Sequence, residues 1–435
     1  MKTRMAALLA CLALMMCAPL RAETRLSGKQ PLAWKDFLGV NAHFLWFTPA
    51  QYQGQMARLK ALGLEWVRVD LHWDRHEPQE ERYVLQPLDD LTAALRRERL
   101  KSVFYLVGSA RFASSAPFWA RNKDQYPPTD SAVYARRLAM LAGRYPGVDA
   151  WQVWNEPNLP AFWQPHEDAR GYGLLLRDSV QALRRAAPGK PVVMAGMAYY
   201  SQQPTQGGLM LEELGKLGAF SLGAVVAYHP YSLEPEGDDP TARDFILRAQ
   251  EANRRLRAMK VPAIWATEWG WSSYGGPKEE QPVIGRDGQA DFLLRRLALM
   301  SALDYDRVFL FALSDLDGRA GRRDQSYGLL SLDGKPKPAY TALARFLAIT
   351  GPRLLPDSGP ALTREAGEQF SVAWRKPDGS RLWLFWARQP GVVELSGVTR
   401  ATLYQPLSGG RRELTAENGR LRLDASRQLQ ILEWK

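Results

Sequence analysis

The stretch VDAWQVWNEPN (148–158) is an apolar run that ends on a polar pair, Asn155 and Glu156, followed at once by a proline. Pro157 biases Glu156 away from the helical region, so the pair belongs to a strand end or a turn. Strand packing asks for no carboxylate at such a place, and burying one without a partner is costly. Glu156 is therefore either solvated at a loop tip or has chemistry to do.

The pattern recurs. Between residues 35 and 350, short apolar runs alternate with longer amphipathic ones. The runs are FLGVNAHF (37–44), LEWVRVDLHW (64–73), KSVFYLVGSA (101–110), the opening stretch, PVVMAGMAYY (191–200), LGAVVAYHPY (222–231), VPAIWATEWG (261–270) and DRVFLFALSD (306–315). Helix-like segments such as TPAQYQGQMARLKALG and GYGLLLRDSVQALRRAAPG lie between them. Eight near-continuous apolar strands separated by helices imply a parallel sheet covered by helices. Eight such units in about 315 residues fit a (β/α)8 TIM barrel. An open doubly wound sheet has the same alternation, since closure is invisible in a sequence. Polar residues, however, collect at the C-terminal ends of the runs: Asn41 and His43, Arg68 and Asp70, Asn155 and Glu156, His229 and Tyr231, Glu268, Ser314 and Asp315. That is the end at which barrel active sites are built.

Past residue 350 the texture changes to short alternating strands separated by turn residues, with PDGS and SGG as hairpin turns. A small all-β, sandwich-like domain over 351–435 follows. At the other end, a basic MKTR, an apolar MAALLACLALMMCAPL and a small residue before Glu23 read as an export signal over 1–22, leaving 23–350 for the barrel. A retained membrane anchor is the alternative, although the run is short for a span of ~20 residues. LMMC lacks the small residues that precede a lipidated cysteine. Both cysteines, Cys11 and Cys17, lie in this segment, so a processed chain has no disulfide, thiol nucleophile or thiolate metal site. Loss of Lys2, Arg4 and Arg21 takes the net charge from +11 to +8. The remaining excess is scattered as on TAALRRERL, a solvated face rather than a nucleic-acid footprint.

A second glutamate shares the setting of the first. In AIWATEWGWSS, Glu268 ends the seventh run between Trp265, Trp269 and Trp271. In a closed barrel, strands four and seven face each other across the mouth. Two carboxylates placed there suit glycosidic cleavage, one protonating the leaving oxygen and the other attacking the anomeric carbon or activating water. Indole rings suit the same work by stacking on sugar faces.

WNEPN followed by LPAFW, together with ATEWGWSSY, resembles the clan A glycoside hydrolases, most closely family 39. The resemblance covers 35–350 and implies a retaining mechanism with Glu156 as acid/base and Glu268 as nucleophile. It further implies that Asn155 holds the 2-hydroxyl of the reacting sugar, that Tyr231 of HPY bonds the nucleophile, and that His229 lines the subsite. Arg68 is the implied orienting cation near Glu268, and His43, Trp163 and Trp271 are further candidates for contact with sugar. One position departs from the family: its eighth strand usually reads like WTFSD, whereas LFALSD places Phe311 where the family has Trp. That change alters the floor of the subsite and with it the family's sugar specificity. The combination of signal, barrel and β module is similar to glycosidases encoded with exopolysaccharide genes. This implies endo-action on a mannose-containing matrix polysaccharide, in the periplasm or beyond it, with biosynthetic machinery at the inner membrane as a partner.

For this mechanism Glu156 must start protonated, which apolar surroundings favour, and Glu268 must be ionised, which Arg68 and Tyr231 favour. No Gly-rich phosphate loop follows any run, and no cofactor is expected. His72 and His76 stand four apart but follow a strand, so a helical metal pair is not expected, and DLDG (315–318) lacks the rest of a calcium loop. Trp46, Trp73, Trp119, Trp163 and Tyr274, all in loops at the same end, together suggest a cleft for several sugars. An exo-acting glycosidase and a non-hydrolytic polysaccharide-binding assembly factor are the competing readings.

Overall fold

The computed structural model describes residues 24–198, 209–238, 244–278 and 281–435. The export signal proposed for 1–22 lies outside the described residues, as do Tyr199 and Tyr200 of the fifth run.

Eight parallel strands form the first unit, Leu32–Ala344. They are β1 Leu38–Asn41, β2 Trp66–His72, β3 Lys101–Val107, β4 Ala150–Val153, β5 Val192–Met194, β6 Val226–His229, β7 Ile264–Trp269 and β8 Arg307–Leu310. Every neighbour pairs in parallel, and β8 pairs back onto β1 through Val308–Leu38. Between β5 and β6 the ladder runs through a bridge from Val193 to Val225 and through a two-residue continuation, Met197–Ala198, paired with β6. The sheet is closed. The expected helices follow their strands, and side chains at their starts bond the first free N–H groups: Thr48 before Pro49–Ala61, Asp130 before Ser131–Arg144 and Asp168 before Ala169–Ala186.

Inside the barrel the two-residue period sorts side chains into layers. Trp66, Val103, Ala150, Val193, Ala227, Trp265 and Phe309 form one apolar cluster at the N-terminal end. Trp66 and Trp265 meet edge to face at 6.3 Å, and Trp265 leans on Phe309 at 5.9 Å. Two residues further along the same strands come Arg68, Tyr105, Gln152, His229 and Thr267, with Asn41 from β1. The indole layer thus plugs the bottom of the barrel, and a buried polar layer stands on it.

The second unit comprises Arg345–Lys435 with the segment that ends at Pro31. Here the sequence-based division at 23–350 needs correction. Thr24–Ser27, assigned to the barrel by position alone, forms a strand that pairs in parallel with Gln369–Arg375, from Thr24–Phe370 to Ser27–Ala373. The rest is an antiparallel arrangement of two sheets. In one, Gln369–Arg375 and Arg381–Ala387 form a hairpin through the PDGS turn, and Arg400–Gln405 and Gly410–Thr415 another through SGG. The other contains Ala361–Arg364, Gly391–Ser396 and Arg420–Ala425. Between them lies a core that includes Trp383, Phe385, Val393, Leu395, Leu421, Leu423 and Trp434, the sandwich expected from the alternation.

Candidate active site

Glu156 and Glu268 come together at the C-terminal mouth. Together with His229 they form a group whose ligand-type atoms all lie within 4.8 Å of one another. The backbone that presents Glu156 is unusual. Trp154 has φ of 72° and Glu156 φ of 39°, left-handed values that non-glycine residues rarely adopt. Pro157 excludes the right-handed region, but the residue does not take the extended conformation that proline usually enforces. The kink is held by Trp154 N–H, which donates to Leu106 O and Tyr134 Oη at 3.2 and 3.1 Å, and by Glu156 N–H, which donates to Gly196 O at 3.1 Å. Such strain persists where the surroundings enforce it, and it is concentrated at functional positions.

Arg68 is the hub. Its fully buried guanidinium donates to Glu268 Oε1 at 2.6 Å, Asn41 Oδ1 at 2.8 Å, Asn155 Oδ1 at 2.7 Å and Gln152 Oε1 at 2.6 Å. Its Cζ lies over the Tyr105 ring, 3.8 Å from the centroid. Tyr231 donates to the other oxygen of Glu268 at 3.2 Å. The loop carrying Tyr231 is pinned by Arg296, which donates to Pro230 O at 2.6 Å and Pro235 O at 2.8 Å and also bonds Ser232 Oγ. Trp271 joins this clamp, its indole N–H donating to Ser232 O at 2.9 Å.

The two carboxyl groups sit in different environments. Burial pushes the Glu156 pKa up to about 8, against the pull of the Arg68 charge and with help from Asp324. Glu268 instead takes the Arg68 cation directly. Burial lowers the pKa of His229, between the carboxyls, to about 4, so the ring is neutral near pH 7. For Asp70, burial favours the neutral form, but His43 and His72 outweigh it and hold the group well below the carboxylate range.

A raised folded-state pKa has a stability consequence. Below about pH 4.5 both folded and unfolded chains keep the Glu156 proton; above it the unfolded chain releases the proton while the folded one retains it up to about 8. Wild type therefore loses stability across that window, and Glu156→Gln does not share the loss. Thermal unfolding at pH 4.5 and pH 8 is expected to show the variant gaining on wild type by on the order of a few kcal/mol at the higher pH. A constant difference would contradict the raised pKa.

Of the other candidates, Asn155, His229, Tyr231 and Arg68 converge on the carboxyl pair. His43 meets Phe311 edge to face at 5.3 Å, and Phe311 meets Tyr327 at 5.2 Å, a row of rings on one side of the mouth. Trp163 and Trp271 take a different place. Each is 3% exposed. Trp163 packs on Trp154 at 5.4 Å and Tyr172 at 6.1 Å, and Trp271 spends its N–H on backbone carbonyls. Both brace the loops instead of offering a ring face. Trp73 is buried likewise, donating to Glu77 at 2.8 Å, whereas Trp119 is 71% exposed.

A single helical turn, Trp73–His76, does follow β2, contrary to expectation, because Trp73 O accepts the Glu77 N–H. It builds no metal pair: His72 turns to Asp70 at 3.3 Å and His76 towards Val84 O at 3.5 Å. Sequence reading missed Gln152, Thr267 and Arg296. Gln152 and Thr267 occupy the inward register of apolar strands, and Arg296 interrupts the apolar face of Gly285–Ser301, signals that become readable once the barrel register is known.

No protein-family model matches the sequence, and no curated protein matches it. Solved structures do. A family 39 glycoside hydrolase from Bacteroides cellulosilyticus WH2 superposes with a TM-score of 0.70 at 20% identity, over 92% of this chain and 80% of that one. The fold is similar to that of this (β/α)8 glycoside hydrolase. A GH30 endoxylanase from Clostridium papyrosolvens C71 gives 0.61 at 9% identity, over 95% of this chain and 100% of that one. GH5_18 from Streptomyces cattleya, solved with Manb1-4GlcNAc, gives 0.53 at 22% identity, over 72% and 80%. At these identities the likeness is one of architecture, and the chemistry rests on the residues at the mouth.

Proposed function

We propose that the protein is a retaining glycoside hydrolase in which Glu156 is the acid/base and Glu268 the nucleophile. The observation that carries this reading is the carboxyl pair itself, with one oxygen of each within 4.8 Å of the other and Glu268 bonded to the Arg68 cation, while burial raises the pKa of Glu156. Retaining pairs stand about 5–5.5 Å apart, inverting ones about 6.5–9.5 Å, because the latter must admit a water between carboxylate and sugar. In the first step Glu268 attacks the anomeric carbon while Glu156 gives its proton to the leaving oxygen. In the second, with the negative charge of Glu268 consumed in the ester, Glu156 takes a proton from water, which attacks the same carbon. Asn155 spends its oxygen on Arg68, which leaves its N–H groups to donate to the 2-hydroxyl.

We further propose an endo-acting enzyme of a secreted, mannose-containing exopolysaccharide, exported to the periplasm and working beside the biosynthetic machinery. The support is the motif resemblance to the glycosidase encoded with the Psl exopolysaccharide genes of pseudomonads. The exposed Trp119 and half-buried Trp46 and Tyr274 supply aromatic surface outside the reacting subsite. Incubation with mannose-rich exopolysaccharide tests both levels. Proton NMR of the first product is expected to show the anomeric configuration of the substrate, and mass spectrometry a ladder of oligosaccharides. Inversion would overturn the mechanism. Monosaccharide alone would favour exo-action, and binding without cleavage the assembly factor.

A further inference from the structure

Behind the site the two carboxyl groups are joined by an unbroken chain of buried side chains. Arg68, bonded to Glu268, donates from Nε to Gln152 Oε1 at 2.6 Å. Gln152 Nε2 lies 2.9 Å from Met194 O and 3.4 Å from Thr267 Oγ1. Thr267 Oγ1 is 2.9 Å from His229 Nε2, and His229 Nδ1 is 2.7 Å from Glu156 Oε1. Gln152, Thr267 and His229 are wholly buried, so their polar hydrogens must be satisfied within the protein.

The donor inventory leaves one assignment. Arg68 only donates, so Gln152 turns its carbonyl to Arg68 and its NH2 to Met194 O and Thr267. Thr267 Oγ1 thus faces a donor on one side, and among its bonded neighbours the acceptor left for its own proton is His229 Nε2. A ring nitrogen that accepts carries no hydrogen. The single proton of a neutral ring is then on Nδ1, donated to Glu156 Oε1. The charged or titratable groups that face this ring are Glu156, Glu268 (Oε2 3.7 Å from Nδ1), Arg68 and Tyr231, whose ring meets it edge to face at 6.5 Å.

We infer that Gln152 and Thr267 hold His229 as the Nδ1–H tautomer, and that this tautomer directs the acid proton of Glu156 to Oε2. Oε1 is occupied as an acceptor, and Oε2 has no protein partner among the described residues. The consequence for the reaction rests on the acid/base role proposed above; the tautomer does not. Once Glu156 has given up its proton, the Nδ1–H bond remains and stabilises the carboxylate that must act as base. With the opposite tautomer the Glu156 proton would lie on Oε1, donated to the ring and withheld from the leaving oxygen. Gln152, Thr267 and His229 are therefore positioning residues. Gly196 closes the arrangement from the side: a Cβ there would lie 1.9 Å from His229 Nε2 and 2.5 Å from Thr267 Oγ1.

The test is nitrogen NMR of 15N-histidine protein at pH 7, with His229→Gln identifying the relevant signals among the five histidines. A pyrrole-type Nδ1 and a pyridine-type Nε2 are expected. The reverse pattern, or two pyrrole-type nitrogens, overturns the inference. Gln152→Glu gives up the bond to Met194 O and supplies a carboxylate that accepts the Thr267 proton, so Thr267 must then accept from Nε2–H, and the tautomer is expected to switch. A folded Gln152→Glu protein with an unchanged tautomer refutes control by the Gln152–Thr267 pair; should that variant not fold, the wild-type spectrum decides. An Nδ1–H tautomer in a protein that hydrolyses no polysaccharide would leave the inference standing and remove the glycosidase reading.

Discussion

Glu268→Gln is expected to lower hydrolysis by about 10⁴- to 10⁶-fold, the loss that follows removal of the proposed nucleophile. Glutamine keeps the size of the side chain and an oxygen for Arg68, so the protein folds and the loss falls on chemistry. Glu156→Gln is expected to behave differently. Loss of a general acid costs about 10²–10⁴-fold when the leaving oxygen needs a proton. A dinitrophenyl leaving group departs without one, so on such a glycoside the first step survives, the intermediate accumulates, and a burst precedes slow turnover. Comparing the first step of each variant on exopolysaccharide and on the activated glycoside separates the roles: Glu268→Gln fails on both, while Glu156→Gln loses its first step chiefly on the polymer and keeps the burst on the activated glycoside. Equal first-step losses of Glu156→Gln on the two substrates, with no burst on the activated one, would remove it as the acid. Small azide anions, entering the space beside a shortened Glu156→Ala, are expected to restore turnover as glycosyl azide, which identifies the face that the acid/base occupied.

Much of this site was legible because the two signals that define it are local. An apolar run ending in polar residues marks a strand and its C-terminal end at once, and Glu156 and Glu268 each carry that mark within ten residues. What lies between the strands was not legible. Gln152 reads as one polar residue in WQVW; that it meets Arg68, 84 positions away, and Thr267, 115 away, depends on closure and register. Trp163 and Trp271 show the opposite error. An indole near a carboxylate suggests a sugar platform, but the sequence does not say which face points inward, and both rings turned into the scaffold. The four residues Thr24–Ser27 are too few for any period to assign them, and their partner strand lies at the far end of the chain.

Arg68→Met is the stability test of the same geometry. The guanidinium bonds Glu268, Asn41, Asn155 and Gln152, so its loss strips four buried acceptors of a shared donor and leaves Glu268 without its cation, with the Tyr231 hydroxyl remaining on its other oxygen. Breaking a buried pair on one side costs about 3–5 kcal/mol. Chemical unfolding is expected to show a loss in that range, and kcat/KM on the activated glycoside a fall of about 10²–10³-fold as the nucleophile leaves its place. Arg68→Lys keeps the charge but not the planar fork, and should fall between. Size of effect alone does not separate the ion pair from the lost amide bonds, since both vanish together. The Glu268→Gln background does. There the bonds to Asn41, Asn155 and Gln152 are still lost on Arg68→Met, but no carboxylate is left stranded. The second Arg68→Met step is therefore expected to cost less than the first by on the order of 1–3 kcal/mol, the coupling between the two charges. Equal costs in the two backgrounds would mean that Arg68 serves the neighbouring amides and not Glu268, and its role as the cation that sustains the nucleophile would have to be given up.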